Sequence, residues 1–348
     1  LDATFLKGKL RFTVDVYQKY VKDLLQPKVK MPTTIGYGNG YQISYMNSGK
    51  MTNKGWEFRV DAVPFQNKDW RVGVYFNIAH NENKITEMPD NYIEENYTFG
   101  NGNYAYRREE GRPMGSFYGY RYKGVYQNKD ATYARDIEGN VMKDISGNAI
   151  VMRNGSYTVA PGDAIYEDVN HDGVINQYDI VYLGNSNPRL TGGAGLNVSY
   201  KQFKLSAIFY GRYGQDVVNA TRLNNESMRG IDNQSTAVLR RWRNEGDQTD
   251  IPRALYGEGY NTLGSDRFVE DASYLRLKSL SFTYRLPKKA IQRWGFNNID
   301  VYVTGYNLFT WTKYTGQDPE VKTENTYARD TATTPASIQL VAGFNLSF

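Results

Sequence analysis

From Ile338 to Phe348 every even position is apolar, while the odd positions carry Gln, Val, Gly, Asn and Ser. Side chains alternate faces along a strand, so such a segment has one apolar face and one largely polar face. The same period recurs upstream. Leu10, Phe12, Val14 and Val16 alternate with Lys9, Arg11, Thr13, Asp15 and Tyr17, and Trp56, Phe58, Val60 and Ala62 with Glu57, Arg59 and Asp61. Trp70 to Ile78, Ala194 to Tyr200, Phe203 to Phe209 and Leu280 to Leu286 repeat it, and a further strand over Ile299–Trp311 has undecided facing. The pattern predicts about eight strands, each near the ~9–11 residues that cross a bilayer when tilted.

The connections separate a barrel from a soluble sandwich. Pro64–Asp69, Lys201-Gln202 and Pro287–Asn298 are short, whereas Val21–Asn53, Asn81–Leu190, Gly211–Ser273 and Lys313–Ala336 are long. Short and long connections alternate strictly, as in membrane barrels with tight turns on one side and large loops on the other. Compact soluble domains seldom carry so many loops beyond ~15 residues. The expected fold is all-β: a transmembrane antiparallel β-barrel wall with long extracellular loops, chiefly 81–190 and 211–273.

Composition sharpens this. Tyr occurs 30 times and Gly 33 times among 348 residues, aromatic residues make up 14%, yet mean hydropathy is that of a polar chain. Apolar and polar faces averaged together give this combination. No apolar run is long enough for a spanning helix. Leu1–Phe5 has neither the basic nor the apolar region of a signal peptide, so the chain is expected to be a fragment of a mature protein. With 42 basic and 37 acidic residues, charge is nearly balanced and dispersed, which argues against nucleic acid as a partner. Cysteine is absent, removing disulfides, thiol catalysis and Cys-zinc sites.

Among candidate chemistries, Asp168-Val169-Asn170-His171-Asp172-Gly173-Val174-Ile175-Asn176-Gln177-Tyr178-Asp179 fits a calcium-loop template. Asp168, Asn170 and Asp172 would offer side-chain oxygens, Val174 its carbonyl, Asn176 a direct or water-mediated contact, and Asp179 the closing carboxylate. The expected role of Ca2+ is structural. The closing residue is Asp rather than Glu and no helix pattern precedes the loop, so a sensor EF-hand is not expected; a metal-free Asx turn is the alternative. His80 and His171 are the only histidines, too few for a His-based triad or zinc site, and no catalytic residue is assigned. The glycine-rich runs Gly36–Gly40 and Gly192–Gly195 lack the helix a phosphate loop requires. Loop aromatics, Tyr104, Tyr106, Phe117, Tyr118, Tyr120 and Tyr122 in one segment and Trp242, Tyr256 and Tyr260 in another, either pack the loops or grip a sugar or peptide. Tyr118, Tyr120, Trp242 and Tyr256 are the candidate substrate-binding residues.

Several segments together resemble the SusC/RagA family of TonB-dependent outer-membrane transporters. Asn53-Lys54-Gly55-Trp56-Glu57 is similar to the family's N-x-G-x-E strand entry, and Gly111-Arg112-Pro113-Met114-Gly115-Ser116-Phe117-Tyr118-Gly119-Tyr120 to its G-x-P-x-G-x-F-Y-G-Y segment. Gly162-Asp163, the Asp168–Asp179 loop and Gly184-Asn185-Ser186-Asn187-Pro188 follow in the family's order, as do Trp242-Arg243, Thr249–Ala254, Asp271–Lys278 and Asn307–Tyr314. The resemblance runs across nearly the whole chain. It implies the C-terminal strands, about eight, of a barrel of about 22 strands closed by an N-terminal plug with a TonB box. It also implies a SusD-like surface lipoprotein partner, a dimer of such pairs, oligosaccharide or peptide substrates, and the outer membrane of Bacteroidota. The plug and early strands are absent from this sequence. A stand-alone small barrel or adhesin, and a secreted calcium-stabilised glycan-binding module, are the alternatives.

Overall fold

In the computed structural model, which describes residues 1–30, 42–47, 49–88, 102–105, 108–321, 323–324 and 327–348, the alternating segments form a single antiparallel meander. Its strands are β1 (Asp2–Phe5), β2 (Leu10–Lys22), β3 (Lys50–Gln66), β4 (Trp70–Glu87), β5 (Leu190–Tyr200), β6 (Phe203–Tyr213), β7 (Tyr274–Arg285), β8 (Asn298–Thr312) and β9 (Gln339–Ser347). Each pairs with its sequence neighbour, so sheet order equals chain order. Among the described residues β1 and β9 are not paired with each other, so the long strands do not close a small barrel of their own. No helix among the described residues is long and apolar enough to cross a membrane.

Register sorts the two faces. One lateral row reads Val14, Phe58, Ile78, Gly192, Gly211, Leu275 and Trp311 across β2 to β8; the next reads Val60, Phe76, Ala194, Phe209, Leu277 and Phe309. Phe76, Leu275, Phe309 and Trp311 of these rows are exposed in the chain alone, as are Leu340 at 74% and Phe344 at 67% on β9. A soluble sheet would bury such a face; a barrel wall presents it to lipid. Trp70, Tyr200, Phe203 and Tyr284 gather at the short-turn end, with Trp70 and Tyr200 rings 4.3 Å apart, and Trp56 and Trp311 lie towards the loop end. Aromatic girdles at both interfaces are typical of such walls. On the opposite face, Ser206 Oγ donates to Asn197 Oδ1 at 2.7 Å, Ser281 and Thr304 hydroxyls lie 2.7 Å apart, and Arg285 pairs with Asp300 at 2.8 Å.

Three tyrosines of this polar face each cover a glycine directly opposite on the next strand: Tyr17 over Gly55, Tyr75 over Gly195, and Tyr302 over Gly343. A Cβ at each glycine would lie inside the tyrosine ring's van der Waals envelope. The undecided facing of Ile299–Trp311 has a cause here. The β7–β8 register shifts between Leu277 and Ser279, and Asn307, with a left-handed φ of 52°, is a polar interruption in the odd-numbered apolar series of Val301, Val303, Phe309 and Trp311.

The expected alternation of connections holds. Residues 67–69, 201–202 and 286–297 close one end, and 23–49, 88–189, 214–273 and 313–338 leave the other. β4 runs past the expected end to Glu87, because Asn81–Glu87 keeps pairing with β3 and buries Ile85. Within the 214–273 loop, Thr236–Arg240 forms a 3-10 turn.

Candidate functional site

The long loops fold on one another into a cap above the loop end of the sheet. Tyr118, Tyr120, Tyr126, Met152, Tyr166 and Ile175 from the 88–189 loop share a buried core with Tyr260 and Leu263 from the 214–273 loop. Tyr104 and Phe117 of the first loop meet Val218, Leu223 and Phe268 of the second. Val217, Ala272, Tyr314 and Ala328 draw in the 313–338 loop, where Val218 and Arg329 pair in parallel. Burial here pushes the Tyr126 phenol up to about 12.

Polar ties fix the same three loops. Asp163 is fully buried and accepts from Arg253 Nε at 2.7 Å, the Tyr157 hydroxyl at 2.7 Å, Asn261 Nδ2 at 3.3 Å and the Ala160 amide at 2.8 Å. A buried carboxylate is tolerable only when so fully bonded. Arg267 and Glu226, both nearly buried, pair at 2.8 Å, and Arg222 bridges Glu226 at 3.0 Å and Glu270 at 3.2 Å. On the polar face of β7, Arg276 holds Asp318 at 2.5 Å and Glu320 at 2.9 Å, and Lys278 holds Glu320 at 2.9 Å. Burial opposes ionisation of Asp318, but the Ala336 and Glu320 amides and the Arg276 guanidinium outweigh it and hold the carboxyl below its usual range. These pairs strap the last loop to the inner wall.

The candidate substrate residues divide. Tyr118 and Tyr120 are core residues with 0% and 1% exposure, and Trp242 is buried over Gly162, whose φ is 87°. Their rings pack the cap rather than face a solvent-filled mouth. Tyr256 presents its ring at 77% exposure. The same cap raises exposed Ile137 and Ile145 on two similar turns, in which Asp136 and Asp144 accept the backbone amides of Asn140 and Asn148, each just after a glycine of positive φ, Gly139 and Gly147. A D-I-x-G-N repeat in the sequence, 136–140 and 144–148, is the signal that marks both turns. Tyr106 and Gly36–Gly40 lie outside the described residues.

The calcium-loop segment turns as its template requires. Asp168 Oδ2 accepts the Gly173 amide at 2.8 Å, Gly173 has φ of 79°, and Asp172 Oδ1 accepts the Val174 amide at 2.8 Å. Asp179 is buried and accepts the Asn176 and Val169 amides, each at 2.8 Å. Burial pushes its carboxyl up, against those amides, and the nearby Asp168 and Asp172 add to the rise. Asn176 caps the 3-10 turn Gln177–Asp179, and its amide donates to the Val174 carbonyl at 3.1 Å. A short strand, Ala164–Tyr166, precedes the loop, so it is not an EF-hand. Among the described residues no three acidic or histidine side chains, Asp168, Asp172 and Asp179 included, converge into a metal cluster.

No family model matches the chain. It is 32% identical over 332 residues to TonB-dependent receptor P3 of Formosa agariphila, covering 93% of this chain and 30% of the receptor. Against TonB-dependent receptor SusC of Bacteroides thetaiotaomicron, identity is 28% with 100% of this chain and 31% of the receptor covered. A solved structure of the RagAB peptide transporter superposes on the whole chain with a TM-score of 0.71 at 27% identity, using 34% of that chain. The chain is a C-terminal barrel portion of the SusC/RagA family. It spans about a third of the length of the relatives it matches. These relatives are receptors and transporters, not enzymes. The resemblance read from the motifs and the all-β wall expected from the alternation are both upheld, and the SusC/RagA portion consists of that wall together with its cap.

Proposed function

We propose that this SusC/RagA portion forms part of the wall and extracellular cap of a TonB-dependent outer-membrane importer of oligosaccharides or peptides. The carrying observation is the continuous likeness to the RagAB peptide transporter over the whole chain, wall and cap together. In this reading the two-faced sheet sits in the outer membrane, with its apolar rows in lipid and its polar rows lining the lumen. A plug with a TonB box lies in the remainder of the receptor. A SusD-like lipoprotein docks on the cap, whose exposed Ile137, Ile145, Ile231 and Tyr256 suit a covered surface. A stable interface of that kind buries above ~1,000 Å². A relative solved in closed-closed and open-open states supports a dimer of transporter–lipoprotein pairs.

Extraction of the tagged full-length receptor in mild detergent tests this. A lipoprotein should co-purify at near-equal amounts, and less of it should do so when Ile137 and Ile145 are both changed to Asp. Recovery of the receptor alone, with unchanged nutrient uptake, would refute the paired importer and leave a transporter without a lid.

A second reading concerns the 168–179 loop. We propose that it holds structural Ca2+ through Asp168, Asn170, Asp172, the Val174 carbonyl, Asn176 and Asp179, on the strength of the Asp168–Gly173 turn. Chelation should expose residues near 168–179 to protease, and readdition of calcium should restore protection. Cleavage indifferent to chelator refutes it.

A further inference from the structure

The apolar face of the wall is not uniformly filled. Gly192 on β5 and Gly211 on β6 stand directly opposite each other, with Ala194 one step below Gly192 on the same face. Neither glycine has room for a side chain at this strand spacing: a Cβ at Gly211 would meet the Tyr274 carbonyl oxygen at 2.8 Å, and one at Gly192 would run into the Asn77 carbonyl oxygen. The neighbouring strands carry large groups at the same level, Phe76 and Ile78 on one side, Leu275 and Trp311 on the other. The result is a trough of about 710 Å³ running from mid-wall to the loop end. Adjacent strands lie ~4.8 Å apart, so a side-chain-free strip two strands wide admits extended hydrocarbon.

Polarity along the trough is graded. Its lower lining is Phe76, Ala194 and Phe209; its mouth at the loop end holds Tyr213, Asp271 and Lys313. Lys313 and Asp271 are exposed and form no ion pair with each other among the described residues. The Asp271 carboxylate accepts the Ser273 amide at 2.8 Å and the Ser273 hydroxyl, leaving further acceptor capacity. Arg212 also borders the trough, but its guanidinium turns to the polar face, where Nε donates to the Tyr210 hydroxyl at 3.1 Å. Among the described residues that line the trough, one cation on the apolar side, a carboxylate acceptor and two flat aromatics above an apolar slot match one amphiphile. Its phosphate meets Lys313, its hydroxyls donate to Asp271, its ring lies on Tyr213 or Trp311, and its acyl chain fills the slot.

We propose that this trough is a binding site for one acyl chain of a phosphorylated glycolipid of the outer leaflet. The proposal rests on the membrane reading above, because only a lipid-facing wall meets such a ligand. Lys313 lies where β8 ends, at the height at which a headgroup sits if Trp311 marks the interface.

Native mass spectrometry of the full-length receptor, extracted in mild detergent from its own outer membrane, provides the test. The intact receptor should keep a phosphorylated glycolipid adduct. Ala194→Phe, which fills the trough without touching the lumen face, should lower its occupancy at least fivefold. Lys313→Glu should do the same, whereas Lys313→Arg should retain it. Leu205→Phe, on the same face away from the trough, serves as the folding control and should leave the adduct intact. Equal adducts in Ala194→Phe and the unaltered receptor would overturn the site, as would a retained lipid lacking sugar. A receptor soluble without detergent would instead defeat the membrane reading, so the two failures are distinguishable.

Discussion

Placing a single arginine at different heights and faces of the wall gives the sharpest check on the facing. On β7, Tyr284 lies in the lower aromatic row and Leu275 in the upper one, with Leu280 between them on the same apolar face. At ~3.4 Å per residue and a tilt near 40°, Leu280 stands about 10 Å above Tyr284, and Leu275 about 23 Å above it, close to the ~25 Å height of a barrel's apolar band. Leu280 is therefore near the midplane, where an arginine costs about 2–4 kcal/mol. Leu346 pairs with Ile299, below the Tyr284–Val301–Phe344 row, so Leu346→Arg falls in the interfacial range of about 0–1 kcal/mol. Ser281 faces the polar side beside Thr304, and Ser281→Arg places its charge in the lumen. Urea titration of the full-length receptor refolded into vesicles, followed by tryptophan fluorescence, measures all three. The expected order of loss is Leu280→Arg well ahead of Leu346→Arg and Ser281→Arg. Equal losses for Leu280→Arg and Ser281→Arg would refute the assigned faces.

Three further outcomes follow from the cap and the lumen face. Asp163→Ala strands Tyr157, Asn261 and Arg253; because Arg253 is one-third exposed, the loss should sit at the low end of the buried-pair range, about 3 kcal/mol, read as faster proteolysis of the 88–189 loop. Gly195→Val forces the Tyr75 ring aside and should cost about 1–3 kcal/mol, with Tyr75→Ala recovering part of it in the double variant; no recovery would mean that the two are uncoupled. The Asp318 carboxyl is lowered in the folded state, so its contribution is complete above its unfolded value near ~3.9 and disappears as pH falls through the folded value. Hydrogen exchange over residues 313–321 should hence accelerate only in strong acid, and Arg276→Met, which removes one of the three groups that lower the carboxyl, should weaken that pH dependence.

The wall was readable because its cause is local. A side chain two residues away shares a face, and lipid on one side enforces the alternation, so Leu10–Val16 or Ile338–Phe348 declare themselves without reference to any partner strand. Where Asn307 interrupts the apolar series of β8 with a polar residue, the facing was not readable. The cap was opaque for the opposite reason. Tyr118 and Tyr120 lie in a four-residue strand, Ser116–Gly119, and just beyond it, buried on both sides, so no alternation marks them. Their partners, such as Tyr260 and Leu263, stand more than a hundred residues away. An aromatic cluster in a loop looks the same in sequence whether it packs or binds. The turn from Asp168 to Gly173 was readable because it is set within a few consecutive residues, and a glycine at 173 makes the bend.

The tyrosine-covered glycines bear on how such a wall avoids assembling out of step. A slip by one residue turns every apolar side chain inward and is rejected by lipid itself. A slip by two preserves both faces, so the membrane cannot detect it. Such a slip would set Tyr17 against Asn53 or Glu57, and Tyr302 against Val341 or Asn345, where a side chain already occupies the space the ring needs. At β4–β5 the neighbouring Gly193 would still receive Tyr75, so that seam is the permissive one. Two of the three seams thus carry an error check that hydrophobic patterning cannot supply, and mispaired barrels should concentrate at the third.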